Sequence, residues 1–467
     1  MTEWVDEYLL AGPDDHVCLH LAEPVTRAAL RELVDARCAE LSAAGLIRGG
    51  AVSLRLPPSL TYIVNLLACW RIGAQVSLLD HRLTAHEVGQ ALGRIDPQVV
   101  VSADRATGPM LRGYSEVTAV TEVRDGQPAR TGHALLQLSS GSTGPSKVIG
   151  RTAADLVAEI ERYKLMDGVP LAGERIVLLA SMVHVLGLVG GLLYALNAGV
   201  TLVLPSFLTT SVIVDTIAAS DEPTTVIGVP FHITLLSAAN PDRKLPQLIR
   251  MTVGGELVRP TVAQAFDDRY GVPLGVMYGM TEVGVIATDL FGENRPKLAP
   301  APGMTLRVDN GELLIARPES PYVGLVDPHR FVDGWLHTKD AGTIDDGTGL
   351  LAVQGRLDSQ VSIGGLKVDL TEVEQVMAEL PGVAEVVVGH DGAIEAFVSL
   401  DGCTPAELEN ELVTRLAAYK RPQRVHVLPR LPRTSSGKFV RDPRVLRDAA
   451  DRAAAETAAA VTEPVQS

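Results

Sequence analysis

The chain has 467 residues, 46% of them hydrophobic and 21% charged, enough for about three domains at ~150 residues each. Aromatic residues make up only 4%, so the core must rest on Leu, Val, Ile and Ala. A formal net charge of -15 argues against the broad basic surface of a nucleic-acid binder and leaves room only for a local basic pocket around one anionic ligand.

Cys18, Cys38, Cys69 and Cys403 form no CxxC pair and have no His or Asp cluster beside them. Neither structural zinc nor a disulfide framework is expected, and isolated thiols suit a reducing cytoplasm. The opening MTEWVDEYLL carries acids where a signal peptide would carry Lys or Arg. The most apolar stretch, Val183–Leu204, contains His184, Asn197 and several glycines. It reads as a buried helix followed by a strand, not as a membrane span.

In chain order, Thr26–Ala44 has helical spacing and Ala51–Leu56 reads as a short buried strand. Leu60–Ile72 is an apolar helix with Gly73 as its C-cap. Val76–Leu79 is strand-like, Thr84–Gly93 helical and Val99–Ser102 a strand again. This is the rhythm of a mostly parallel sheet covered by helices. It resumes after a glycine-rich segment at 139–150, with strands predicted at Ile176–Leu179, Val200–Leu204, Thr225–Val229 and Leu274–Tyr278.

From about 300 the pattern turns antiparallel, at Thr305–Val308, Gly311–Ala316 and Gly349–Val353. A second shift comes at Gly355-Arg356-Leu357-Asp358. Beyond it follow strands at Val383–Gly389 and Ala393–Leu400, a helix at Pro405–Leu416 and a basic loop at Lys420–Lys438. The expected fold is α/β. A large N-terminal domain (1–355) has mixed, mostly parallel sheets with covering helices and a β-rich part at about 300–355. A small mobile α+β domain (356–447) follows, then a flexible Ala-rich tail (448–467).

The segment Leu136-Gln137-Leu138-Ser139-Ser140-Gly141-Ser142-Thr143-Gly144-Pro145-Ser146-Lys147 runs from a strand into glycines, hydroxyls and one lysine. Gly141 and Gly144 let backbone N–H groups turn toward an anion. Ser139, Ser140, Ser142 and Thr143 can donate to phosphate oxygens, and Lys147 adds a charge. It is not a Walker A loop, and a flexible Gly/Ser connector is the competing reading.

This loop resembles the phosphate loop of the acyl-adenylate-forming enzymes: acyl-CoA synthetases, adenylation domains of nonribosomal peptide synthetases, and luciferases. LQLSSGSTGPSKVIGRT is especially similar to the aryl-acid AMP ligases. The family's other motifs follow in its order. Gly254-Gly255-Glu256 resembles the GGE that walls the adenine. Tyr278-Gly279-Met280-Thr281-Glu282 resembles YGxTE, which implies Tyr278 stacked on adenine, Thr281 on a phosphate oxygen and Glu282 on Mg²⁺. Thr338-Lys339-Asp340-Ala341-Gly342 resembles TGDLG, with Lys339 in place of a glycine and Asp340 accepting the ribose hydroxyls.

Gly355-Arg356-Leu357-Asp358 resembles GRxD, which implies Arg356 on ribose or phosphate and Asp358 as a hinge. The Gly364, Gly365 and Lys367 stretch resembles the lining of the thiol-acceptor tunnel. Pro432-Arg433-Thr434-Ser435-Ser436-Gly437-Lys438 resembles PxTxxGK, whose lysine, Lys438, bridges the substrate carboxylate and the α-phosphate.

The resemblance implies an ATP- and Mg²⁺-dependent enzyme that converts a carboxylic acid to acyl-AMP and hands the acyl group to a thiol, on CoA or on a carrier-protein phosphopantetheine, in secondary metabolism. The family's acyl pocket maps onto His184, Val185, Gly187, Val229, Phe231, Val253, Gly254, Gly279, Met280 and Val283, a mostly apolar set that favours an aryl or otherwise apolar acid. His184 is the candidate substrate gate. Val185 stands where amino-acid-activating relatives carry Asp and hydroxybenzoate-activating ones Asn. The competing functions are an adenylating enzyme that passes an activated oxyanion to an amine, and a non-catalytic nucleotide-binding protein.

Overall fold

The computed structural model describes residues 4–105, 113–139, 147–240, 242–255, 258, 260–324, 328–357, 359–432 and 439–462, with backbone alone at Ser139 and 455–462. Its contacts divide the chain into two units. The first takes in Met1–His81, Ala91–Ser139 and Lys147–Leu357, and the second Arg82–Gln90 and Asp358–Ser467.

The first unit carries three sheets. A seven-stranded sheet runs in the order 322–323, 147–151, 135–139, 75–78, 51–55, 99–103, 119–123. A nine-stranded sheet runs 299–300, 284–289, 274–280, 248–254, 224–228, 175–178, 201–203, 17–20, 24–26, parallel from 274–280 through to 17–20 and antiparallel at both edges. Between these sheets' elements lies a continuous aliphatic core that includes Leu54, Leu66, Val76, Leu135, Ile160, Leu178 and Leu192. A five-stranded antiparallel sheet is built around Trp335–Ile344.

Local chemistry explains the helix that the large core closes on. Ser59 accepts from the Tyr62 N–H at the N-terminus of Leu60–Ile72, and Gly73 ends it at φ 89°. Nearly all of that helix is buried, as its unbroken apolar run predicts.

Val183–Leu204 folds as a helix and a strand, but the helix begins as a π-helix, Leu186–Leu193, before Tyr194–Ala198. Its glycines allow the approach: a Cβ on Gly187 would stand 2.3 Å from the Ser181 carbonyl oxygen, and one on Gly190 would stand 2.5 Å from the Tyr163 hydroxyl.

The second unit holds a three-stranded sheet, 383–390, 394–400 and 424–427, packed by Leu370–Ala378 and Pro405–Arg415 around Val373, Met377, Val386, Val398 and Leu412. Thr404 and Glu407 form a reciprocal capping box at the start of Pro405–Arg415. The last helix runs Pro443–Thr462, so the backbone of most of the stretch expected as a flexible tail is helical. Alanine's helix propensity accounts for the continuation. Among the described residues, no helix is long and apolar enough to cross a membrane, and all four cysteines are free.

Candidate active site

Four parallel strands, Arg175–Leu178, Thr224–Gly228, Leu248–Gly254 and Leu274–Met280, lie side by side. The pairs Leu178↔Ile227, Gly228↔Val253 and Gly254↔Met277 hold their carboxyl ends level. From these ends emerge the segments bearing His184 to Gly187, Val229 to Phe231, Gly255, and Tyr278 to Val283. The carboxyl rim of an open parallel sheet is where ligands bind. The phosphate-loop segment begins and ends on the adjoining sheet, where Ser139 pairs with Lys147. Just before it, Gln137 donates to the Val183 carbonyl at 2.6 Å, tying that strand to the segment of His184, a contact that no motif signals.

Three of the separate motifs meet at Asp340. The Tyr278 hydroxyl donates to Asp340 Oδ2 at 2.5 Å, and Arg356 Nη1 stands 3.0 Å from Asp340 Oδ1. Asp340 and Arg356 are direct partners on neighbouring strands. The Asp340 N–H donates to Thr338 Oγ at 2.9 Å, while Arg356 also donates to the Thr338 carbonyl at 3.2 Å. Burial, then the Asp340 charge, pushes the Tyr278 hydroxyl well above its ordinary pKa, so it remains a donor. The result is a carboxylate acceptor beside a guanidinium, a combination suited to a ligand with both hydroxyls and phosphate.

Glu282 is 5% exposed and follows the same strand. Tyr322 donates to its Oε1 at 2.9 Å, and Arg317 Nη1 donates to its backbone carbonyl at 2.9 Å. Arg317 is held in turn by Asp155 at 3.3 Å. One helical turn further on, Glu159 accepts from the Val285 N–H at 3.0 Å and pairs with Arg151 at 2.6 Å, all fully buried. Gly284 has φ 85°, and a Cβ there would sit 2.2 Å from the Glu159 carboxylate. This under-layer went unseen in the sequence, because its residues are distant in the chain and, Arg151 apart, carry no motif.

The expected acyl-pocket residues divide. His184, Val185 and Met280 are half-buried at the rim, Gly187 is buried under the Ser181 carbonyl, and Phe231 is 47% exposed. Val229 lies at the end of its strand with its N–H donated to His232 Nδ1 at 3.1 Å. Gly254 is buried where a Cβ would stand 3.3 Å from Leu186, and Gly255 takes φ 91°. Thr281 is half-buried and Gly279 exposed.

Val253 and Val283 lie in packed cores. Val253 is 0% exposed in a core cluster with Ile233 and Phe266, and Val283 packs with Ile149, Ile286 and Tyr322. Side chains alternate along a strand, so Val253 turns away from the rim into its core, while Val283, in the turn after Leu274–Met280, packs into the neighbouring one.

In the second unit, Gly364 (φ 56°) and Gly365 (φ 81°) form the two-residue turn joining Gln360–Ile363 to Leu366–Asp369, with Lys367 exposed on the returning strand. Ser140, Gly141, Ser142, Thr143, Gly144, Glu256, Asp358 and Lys438 lie outside the described residues, as does the Ser139 side chain.

A family model described as AMP-binding enzyme matches residues 7–323, and one described as AMP-binding enzyme C-terminal domain matches residues 372–438. The chain belongs to the AMP-binding enzyme family. Its relatives include an indoleacetate–CoA ligase of Aromatoleum aromaticum, 28% identical over 95% of this chain and 97% of that protein. Another is a p-hydroxybenzoic acid–AMP ligase of Mycobacterium marinum, 27% identical over 92% of this chain and 66% of that protein. An o-succinylbenzoate CoA synthetase from Bacillus subtilis shares the fold, with a TM-score of 0.81, 22% identity and coverage of 96% and 98% of the two chains. As an AMP-binding enzyme, the chain has the α/β fold expected from its sequence.

Proposed function

We propose that this enzyme is an AMP-forming acid–thiol ligase that activates an aryl or otherwise apolar carboxylic acid and passes the acyl group to the thiol of CoA or of a carrier-protein phosphopantetheine. The observation that carries the nucleotide half is the convergence of Tyr278, Arg356 and Thr338 on Asp340. Asp340 would accept the ribose hydroxyls, Arg356 would meet ribose or phosphate, and the Tyr278 ring, fixed by its own hydroxyl, would form an adenine-stacking face. Gly255, in a left-handed conformation beside buried Gly254, leaves the backbone bare on the adenine side.

In the first half-reaction a carboxylate oxygen attacks the α-phosphorus, and the bond to the bridging oxygen of pyrophosphate breaks. Negative charge builds on the phosphoryl oxygens, where Lys147, Thr281, Lys438 and the donors of residues 139–144 would offset it. Among the described residues no group of three or more His, Cys, Asp or Glu could hold a metal by itself. The lone Glu282 carboxylate, an oxygen ligand, fits Mg²⁺ shared with substrate phosphates. Bound there, Mg²⁺ supplies charge neutralisation and orientation of the phosphates. In the second half-reaction the thiol attacks the acyl carbon, the bond to AMP breaks and the thiol proton is released. Gly364, Gly365 and Lys367 would line the acceptor's path, the two glycines leaving room for a thin arm.

Support for an aromatic acid comes from the apolar rim of Val185, Val229, Phe231 and Met280, and from relatives named for indoleacetate and p-hydroxybenzoic acid. Val185 offers no counter-charge to an α-ammonium, which would be costly to bury unpaired. The free thiols agree with work in a reducing compartment such as the cytoplasm, and secondary metabolism is the proposed setting.

The test is acid-dependent exchange of labelled pyrophosphate into ATP across a panel of aryl, alkyl and amino acids. Mass spectrometry of CoA and of a holo-carrier protein then follows. Exchange with aryl acids and a thioester on one of the thiols is expected. Exchange with amino acids alone, or product only with an amine, would overturn the reading.

A further inference from the structure

Tyr322 belongs to none of the motifs, yet its hydroxyl donates to the Glu282 carboxylate. It is 7% exposed and packs among Ile149, Val283, Leu298 and Leu336. Its strand, Tyr322–Val323, pairs with Lys147–Arg151 through Tyr322↔Ile149, and the Gly150 N–H donates to the Pro321 carbonyl at 2.8 Å. The tyrosine is thus anchored to the strand whose first residue closes the phosphate-loop segment.

The direction of the hydrogen bond follows from its partners: an ionised carboxylate can only accept, so the phenol gives its proton to Glu282 Oε1 at 2.9 Å. The backbone around Glu282 is held separately, by Arg317 on its carbonyl and Glu159 on the Val285 N–H. Tyr322 therefore restrains the carboxylate itself, occupying one of its two oxygens.

We propose that Tyr322 is a positioning residue that orients Glu282 for divalent-cation binding with ATP. This rests on the reading of Glu282 as a metal ligand. Outer-shell partners of metal-binding carboxylates typically contribute 10–100-fold to metal affinity.

The experiment measures Mn²⁺ affinity by electron paramagnetic resonance, using the full chain with a non-hydrolysable ATP analogue, for wild type, Tyr322→Phe and Glu282→Gln. Metal-free AMP binding serves as the check on folding. Tyr322→Phe is expected to weaken Mn²⁺ binding about 10-fold or more while metal-free AMP binding and the KM for the acid stay near wild type. If Glu282→Gln loses Mn²⁺ affinity and Tyr322→Phe keeps it, the role of Tyr322 is overturned. If Glu282→Gln itself keeps full affinity, the metal reading of Glu282 fails instead. Should Tyr322→Phe lose metal-free AMP binding, replacement of Tyr322 by 4-aminophenylalanine, which keeps the ring packed and an N–H donor toward Glu282, is expected to hold Mn²⁺ affinity within about threefold of wild type. A loss of Mn²⁺ affinity there with AMP binding intact would overturn the proposal.

Discussion

His232 sits at the third position of the helix Pro230–Ser237, and its Nδ1 accepts the Val229 N–H that the helix start leaves unpaired. Burial lowers its pKa from 6.5 to about 4, so it is neutral in the folded protein at neutral pH. The unfolded chain takes up a proton between pH 6.5 and 4 that the folded chain refuses, so stability falls as pH drops through that window. At 1.36 kcal/mol per unit, the full effect is about 3 kcal/mol. Gln at this position can reach back to the same N–H without titrating. His232→Gln is therefore expected to flatten the dependence of Tm on pH between 6.5 and 4.5 while changing Tm at pH 8 little. An unchanged slope would place the titration elsewhere. At this scale the sequence exposed Tyr278, Asp340 and Arg356, because their motifs have fixed wording. It concealed Arg317, Asp155, Glu159, Arg151 and Tyr322, whose partners are brought near only by the folded chain.

The strand Trp335–Ile344 shows how an element absorbs a departure from the motif. Lys339, standing where the family has glycine, adopts φ 61°, a left-handed conformation costly for any residue with a Cβ. Glu312 on the neighbouring strand compensates. Its Oε1 accepts the Lys339 N–H at 2.8 Å, and its Oε2 lies 3.1 Å from His337 Nδ1 and 3.6 Å from Lys339 Nζ. Burial opposes the Glu312 charge, yet these partners hold its pKa below the ordinary carboxylate value. The loop that aims Asp340 is therefore intact with a lysine in it. Lys339→Gly is expected to be more stable than Lys339→Ala by about 1 kcal/mol in denaturant unfolding, since only glycine relieves the left-handed strain. Equal stability of the two would remove the strain argument.

Elements with strong local grammar were legible from the sequence. Leu60–Ile72 with its Gly73 cap and Pro405–Arg415 with its capping box are examples. The central strand Leu248–Gly254 shows no strand signal, because Arg250 and Thr252 interrupt the apolar run by which a buried parallel strand is read. Lys147–Arg151, with Gly150 inside it, merges in wording with the glycine-rich loop, although it pairs with the strand entering that loop.

At the scale of the whole molecule, the two units divide the chemistry as they divide the chain. The first carries Tyr278, Glu282, Asp340 and Arg356, and the sequence of the second carries the two-glycine turn and Lys438. If nucleotide recognition belongs to the first unit and charge neutralisation at the α-phosphorus to Lys438, losing that lysine should separate the half-reactions. Lys438→Ala removes a cation that is needed while negative charge concentrates on phosphorus, and removing one such stabilising group typically costs about 10²–10³ in rate. Thiol attack on a preformed acyl-adenylate builds its charge on the acyl oxygen and expels AMP, a step with no pyrophosphate to release and no need for Lys438. Pyrophosphate exchange should therefore fall by at least about 10²-fold, while thioester formation from synthetic acyl-AMP stays within about threefold of wild type. An equal loss in both assays would mean that Lys438 supports the unit as a whole and not the first chemical step.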